Sequence, residues 1–148
     1  IGNKNLVNMH CRKIHIIATL IFCVILIGIT QTRQVFSVLR IQASEVTDCN
    51  IISFGKSGTQ SISVDLVGED LEDIVKTLEN TFVRFDGFDP HMVLPTSCQK
   101  YSLFMQTITG NSSKITITSN GYMFVGNTKY RLIGKTSLLT YLDNLNAI

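Results

Sequence analysis

The sharpest polar cluster in this chain is Asp86-Gly87-Phe88-Asp89-Pro90-His91, with Cys98 shortly downstream. Two carboxylates, an imidazole and a thiol are the donors of a metal site. A thiol beside an imidazole is also the pair that makes a cysteine nucleophilic. Zinc sites, however, usually draw on more Cys and His ligands than this segment holds. His91 is the only histidine after His15, so a cysteine nucleophile has one candidate base. Asp, Gly and Pro are ordinary turn formers. The expected reading is therefore a loop over residues 86–97 without chemistry. Asp86, Asp89, His91 and Cys98 stand as the alternative, a metal-binding or cysteine-dependent site. No catalytic residue, bound metal or cofactor is assigned.

Two segments imitate phosphate loops. Ser53-Phe54-Gly55-Lys56-Ser57 lacks the glycine five positions before Gly55, where Asn50 stands, and a strand pattern follows it instead of a helix. Gly134-Lys135-Thr136 lies between a strand and a helix, but Lys129 occupies the earlier glycine position inside a strand. No cradle of backbone amides can form there. Tyr101, Tyr122, Tyr130 and Tyr141, with Phe104 and Phe124, are candidates for a binding surface. Their strand and helix spacing instead favours core positions. Asn111-Ser112-Ser113 matches the N-glycosylation acceptor pattern, which matters only in a eukaryotic secretory pathway.

The elements that would carry these residues begin with an address. Within residues 14–30 the apolar run 16–29 holds no charge, and Arg12, Lys13 and His15 lie directly before it. As a helix, residues 14–30 span about 25 Å, against the ~30 Å of a bilayer core. Three readings compete: an uncleaved signal anchor, a cleavable signal peptide with residues 1–13 as its basic region, and a buried core helix. The absence of a polar face disfavours the core helix. Thr30-Gln31-Thr32 is a poor cleavage site. The favoured reading is a single-pass membrane protein with its C-terminal domain outside the cell, and the alternative is a secreted protein. Lys4, Arg12 and Lys13 before the run and Arg33 and Arg40 after it lean weakly to that orientation. Met9 is a possible true start.

The 148 residues allow one globular domain. A net charge of +2 with 16% charged residues offers no basic block, so nothing points to nucleic acid. Cys49 and Cys98 are the disulfide candidates if the domain is external; otherwise they are two buried thiols.

Residues 31–45 read as a stalk and 46–148 as the domain. Residues 46–54 and 60–67 read as strands, with Ser61, Ser63 and Asp65 alternating against Ile62, Val64 and Leu66. Residues 69–83 read as a helix whose apolar face is Leu71, Ile74, Val75, Leu78 and Phe82. Strands follow at 101–109, 114–119, 122–125 and 129–133, then a helix over 136–146. Asn120-Gly121 is a two-residue hairpin signal that pairs Ile117 with Phe124. A two-residue loop at Gly126-Asn127 would then set Phe124 against Lys129. A three-residue loop through Thr128 sets it against Tyr130, and is the expected form.

The fold class is α+β: a hydrophobic N-terminal helix, then a small antiparallel sheet in the order β-β-α-β-β-β-β-α with two helices on one face. This layout, with the stretch from Lys114 to Tyr130, resembles in style small envelope proteins of Gram-positive bacteria. It carries no diagnostic motif, and the resemblance implies no site residue. The functional expectation is a membrane-anchored or exported binding domain without catalytic activity. Its expected partners are the membrane, through residues 14–30, and a protein at the sheet edge.

Overall fold

The computed structural model describes residues 3–55, 61–91, 97–134 and 136–145. The chain forms two compact units, Ile1–Gln31 and Thr32–Ile148. The first is helix α1, Asn3–Thr30. Its described apolar side chains, among them Ile16, Leu20, Phe22 and Val24, are exposed. Among the described residues no helix is long and apolar enough to cross a membrane. This corrects the expected signal anchor and the single-pass location. The physical reason is length: the charge-free run stops short of the ~20 residues a bilayer core needs. The rest of α1 carries Lys4, Arg12 and Lys13.

The second unit corrects the expected fold. Among the described residues its sheet has eight strands, all paired antiparallel, in the order β1-β4-β8-β7-β6-β5-β2-β3. The strands are β1 Thr32–Gln34, β2 Val46–Phe54, β3 Ser61–Leu66, β4 Phe82–Phe88, β5 Lys100–Thr107, β6 Ser112–Thr118, β7 Tyr122–Val125 and β8 Thr128–Ile133. Helices α2 Val35–Leu39, α3 Glu69–Glu79 and α4 Thr136–Leu145 contribute Val35, Ile74, Leu78, Leu138 and Leu142 to one core with the sheet. Burying a Leu or Ile this fully stabilises by about 1.5–3 kcal/mol. Residues 32–45 are therefore part of the domain, since Val35 and Phe36 lie in its core and the Val35 N–H donates to the Thr81 carbonyl at 3.1 Å.

The second added strand, β4, replaces the end of one expected helix and the start of the expected loop. The α3 face of Leu71, Ile74, Val75 and Leu78 forms as its period requires. The helix then closes, because the Asn80 amide donates to the Lys76 carbonyl at 2.8 Å and the Thr81 hydroxyl to the Thr77 carbonyl at 2.7 Å. Such side chains compete with helical continuation, and Phe82-Val83 suits a strand. Phe82 is 46% exposed, on the face away from the core residue Val83.

Both hairpins around β7 differ from expectation by one residue, in opposite senses. Ile117 pairs with Met123, which leaves a three-residue loop over 119–121. The Thr118 hydroxyl accepts the Tyr122 N–H at 3.2 Å, and the Gly121 N–H donates to the Thr118 carbonyl at 2.9 Å. Gly121 has φ 89°, and Asn120 has no positive φ, so the type I′ turn is absent. The next loop has two residues, because Val125 pairs with Thr128 and Met123 with Tyr130. Gly126, at φ 55°, supplies the positive φ of a type II′ turn. The two shifts cancel: β6 and β8 keep Ile115, Ile117, Tyr130 and Leu132 toward the core. Only β7 is flipped, sending Met123 inward and Tyr122 and Phe124 to the second face.

Candidate functional site

The expected polar cluster does not converge. Asp86 is the extra residue of a β-bulge in β4, where the register shifts between Phe85 and Gly87. A bulge re-aims its side chain, and Asp86 pairs with the Lys129 ammonium at 3.2 Å. The Asp89 N–H donates to the Asn127 carbonyl at 2.9 Å, tying the strand end to the β7–β8 turn. His91 is exposed and Cys98 half-buried, and neither side chain has a hydrogen bond or ion pair among the described residues. Residues 92–96 between them lie outside the described residues. Among the described residues no group of three His, Cys, Asp or Glu side chains could hold a metal ion.

Of the two alternatives for Cys49 and Cys98, the disulfide is corrected. Cys49 and Cys98 are both free thiols. Cys49 pairs with Met105, while Cys98 precedes Lys100 at the far end of β5. Lys100 and Met105 are about 16 Å apart at ~3.3 Å per strand residue. The two residues from Lys100 back to Cys98 recover at most about 7 Å, and a disulfide needs Cα atoms within ~7 Å. Burial first, and the neighbouring Asp48 carboxylate second, push the Cys49 thiol up to about 12.

The phosphate-loop imitations fall partly on Lys56, Ser57 and Lys135, which lie outside the described residues. Asn111 sits exposed in the β5–β6 turn, its side-chain amide donating to Thr109 at 3.1 Å. Tyr101 is buried in the core, with its hydroxyl donating to Asp143. The Tyr141 hydroxyl donates to the Asp70 carbonyl at 3.1 Å. Burial, then Asp70, Asp73 and Cys49, raise the Tyr141 phenol above its ordinary range. An open groove of about 730 Å³ runs between α3 and the start of β2, lined by Ala43, Val46, Leu71 and Val75 with Glu72 and Glu79.

Exposed charge and an aromatic side chain line up on the second face, near the β1 end. Register places Thr32 against Arg84, Arg84 against Arg131, and Arg131 against Tyr122. Cross-strand partners share a face, so these four residues form one row over strands β1, β4, β8 and β7. Thr32, Arg84 and Arg131 are exposed and Tyr122 half-buried. The Arg131 guanidinium donates to the Tyr122 hydroxyl at 3.0 Å and lies 5.5 Å from its ring centre. The Lys129 ammonium lies 4.1 Å from the same ring centre. The Tyr122 hydrogen bond and ring oxygen, and Asp86 beyond them, hold Arg131 still more firmly protonated than usual.

Two guanidinium groups directly opposed are unfavourable for a free sheet. Lys129 already pairs with Asp86, and the Arg84 side chain has no ion pair or hydrogen bond among the described residues. The row is thus a cationic surface with spare donors. The ring face of Tyr122 is occupied by Lys129, while Phe82, 46% exposed, stands two residues from Arg84 on the same face of β4. Sequence reading missed the row because Arg84 was assigned beyond a helix. Lys129 and Arg131, alternating with Tyr130 and Leu132, were the available signal. No known protein family, curated protein or solved structure matches this chain.

Proposed function

We propose that this chain is a binding domain without catalytic activity, and that it engages an acidic segment of another protein at the β1–β4 end of its sheet. The observation that carries this reading is the directly opposed pair Arg84 and Arg131, exposed and flanked by Thr32 and Tyr122. Opposed like charges are tolerated where an anion neutralises them. The edge supports the same reading. β1 pairs with Phe82, Val83 and Arg84 only, so no strand among the described residues covers the outer side of β4 from Phe85 to Phe88. An extended segment laid along that edge brings its acidic side chains over the row.

The test is a titration of the full chain with a Glu-rich and a Lys-rich peptide, followed by NMR of backbone amides and arginine side chains. The expected result is shifts at Thr32, Arg84, Arg131 and Tyr122 with the Glu-rich peptide alone. Shifts confined to the groove beside α3, or none, would overturn the reading.

A further inference from the structure

The charge and donor arrangement of the row narrows the ligand beyond an acidic segment in general. We infer that the row Thr32–Arg84–Arg131–Tyr122 receives a phosphorylated side chain of a partner protein. This rests on the reading of the face as a protein-binding surface.

The argument is one of matching. Arg84 and Arg131 present two guanidinium charges on neighbouring strands, about 4.8 Å apart in the backbone. A single carboxylate carries one negative charge and two oxygens, so it leaves one of the two guanidinium groups unneutralised. A phosphate monoester carries a charge of about −1.5 to −2 at neutral pH and three free oxygens. Those three oxygens can take the forks of both arginines, and planar guanidinium forks bond phosphate in pairs. Hydroxyls stand at both ends of the row. Tyr122 accepts its bond from Arg131 and keeps its own O–H to donate. Thr32 lies beside Arg84 with its side chain free of hydrogen bonds among the described residues.

Competing charge on this face is accounted for. Asp86 is the acidic group that acts on Arg131, and its carboxylate is held by Lys129 at 3.2 Å. The phosphoryl group therefore meets Arg84 and Arg131 with that carboxylate already neutralised by a third cation. Tyr122, the one aromatic ring of the row, carries Lys129 over its face and so offers no open platform for base stacking. The anion is assigned to a protein side chain because the row lies on an exposed strand surface beside an uncovered edge of β4. An extended chain along that edge adds backbone contacts that a free anion lacks.

The experiment titrates the full chain with four probes under the same NMR readout: a short peptide with one phosphoserine, the same peptide with Glu at that position, the same peptide with unmodified Ser, and inorganic phosphate. The expected result is phosphoserine peptide binding at least tenfold tighter than the Glu peptide, with shifts at Arg84 and Arg131. Inorganic phosphate shifts the same resonances more weakly. Arg84→Gln removes the tenfold preference, and Arg84→Lys, which keeps the charge but not the fork, restores only part of it. Equal binding of the Glu and phosphoserine peptides would overturn the phosphoryl assignment and leave the acidic-partner reading standing. Inorganic phosphate as tight as the phosphopeptide would overturn the protein source. No shift at the row with any acidic probe would overturn both.

Discussion

The Cys49 thiol makes the stability of this domain fall in alkali. Cys49 is 1% exposed and lies in β2 between Leu66 of β3 and Met105 of β5. Burial and then Asp48 raise its pKa from the ordinary 9.0 to about 12. The unfolded chain releases this proton from about pH 9, whereas the folded chain holds it until about pH 12. The thiol's stabilising contribution is therefore complete below about pH 9 and is lost as pH rises toward 12. At about 1.4 kcal/mol per pH unit, roughly 2 kcal/mol is gone by pH 10.5 and about 4 kcal/mol by pH 12. Other groups also titrate in this range, so the assay is a comparison. Urea unfolding of the wild type and Cys49→Ala at about pH 8 and about pH 10.5 isolates the thiol. The wild type should lose about 2 kcal/mol more than the variant between the two conditions. A difference that stays constant within a few tenths of a kcal/mol would refute the desolvated thiol.

Further outcomes follow from the same packing. Met123→Ala removes a fully buried side chain of β7 and should cost about 2–5 kcal/mol in urea unfolding; a cost near zero would put Met123 on the exposed face and restore the expected hairpin register. Thr118→Val leaves the Tyr122 N–H without its hydroxyl acceptor, and should cost about 1–3 kcal/mol by thermal unfolding. In native protein at neutral pH, Cys98 should react fully with iodoacetamide while Cys49 stays protected, by peptide mass mapping; protection of both, released by reductant, would contradict the free thiols.

The elements with a strong internal period were legible in the sequence. The α3 face and the inward residues of β6 and β8 follow from spacing alone, because one buried face permits only one register of apolar residues. The strand β4 was not legible, since Phe82 also fits the helical period and Gly87 reads as a loop. Its identity comes from pairing with β8, a long-range contact. The stretch 31–45 reads as a stalk because its apolar residues show no single period, while in the fold Val35 and Phe36 fill the core beside α3. In β7 every residue is apolar or aromatic, so neither face is marked. There the side-chain bonds of Thr118 and the positive φ of Gly126 decide the register. The site inherits this. Arg84 and Tyr122 enter the row only once β4 exists and β7 is flipped, so a reading from spacing favoured the Asp86–His91 cluster instead.

The central claim is that the row at the β1–β4 end binds an acidic protein segment. Its most direct test is fluorescence anisotropy of a labelled Glu-rich peptide with the wild type and the Arg84→Gln/Arg131→Gln double variant, at about 50 mM and about 200 mM salt. The account predicts wild-type binding that weakens with salt and is reduced at least tenfold in the double variant. Equal binding by the two proteins, independent of salt, would contradict it.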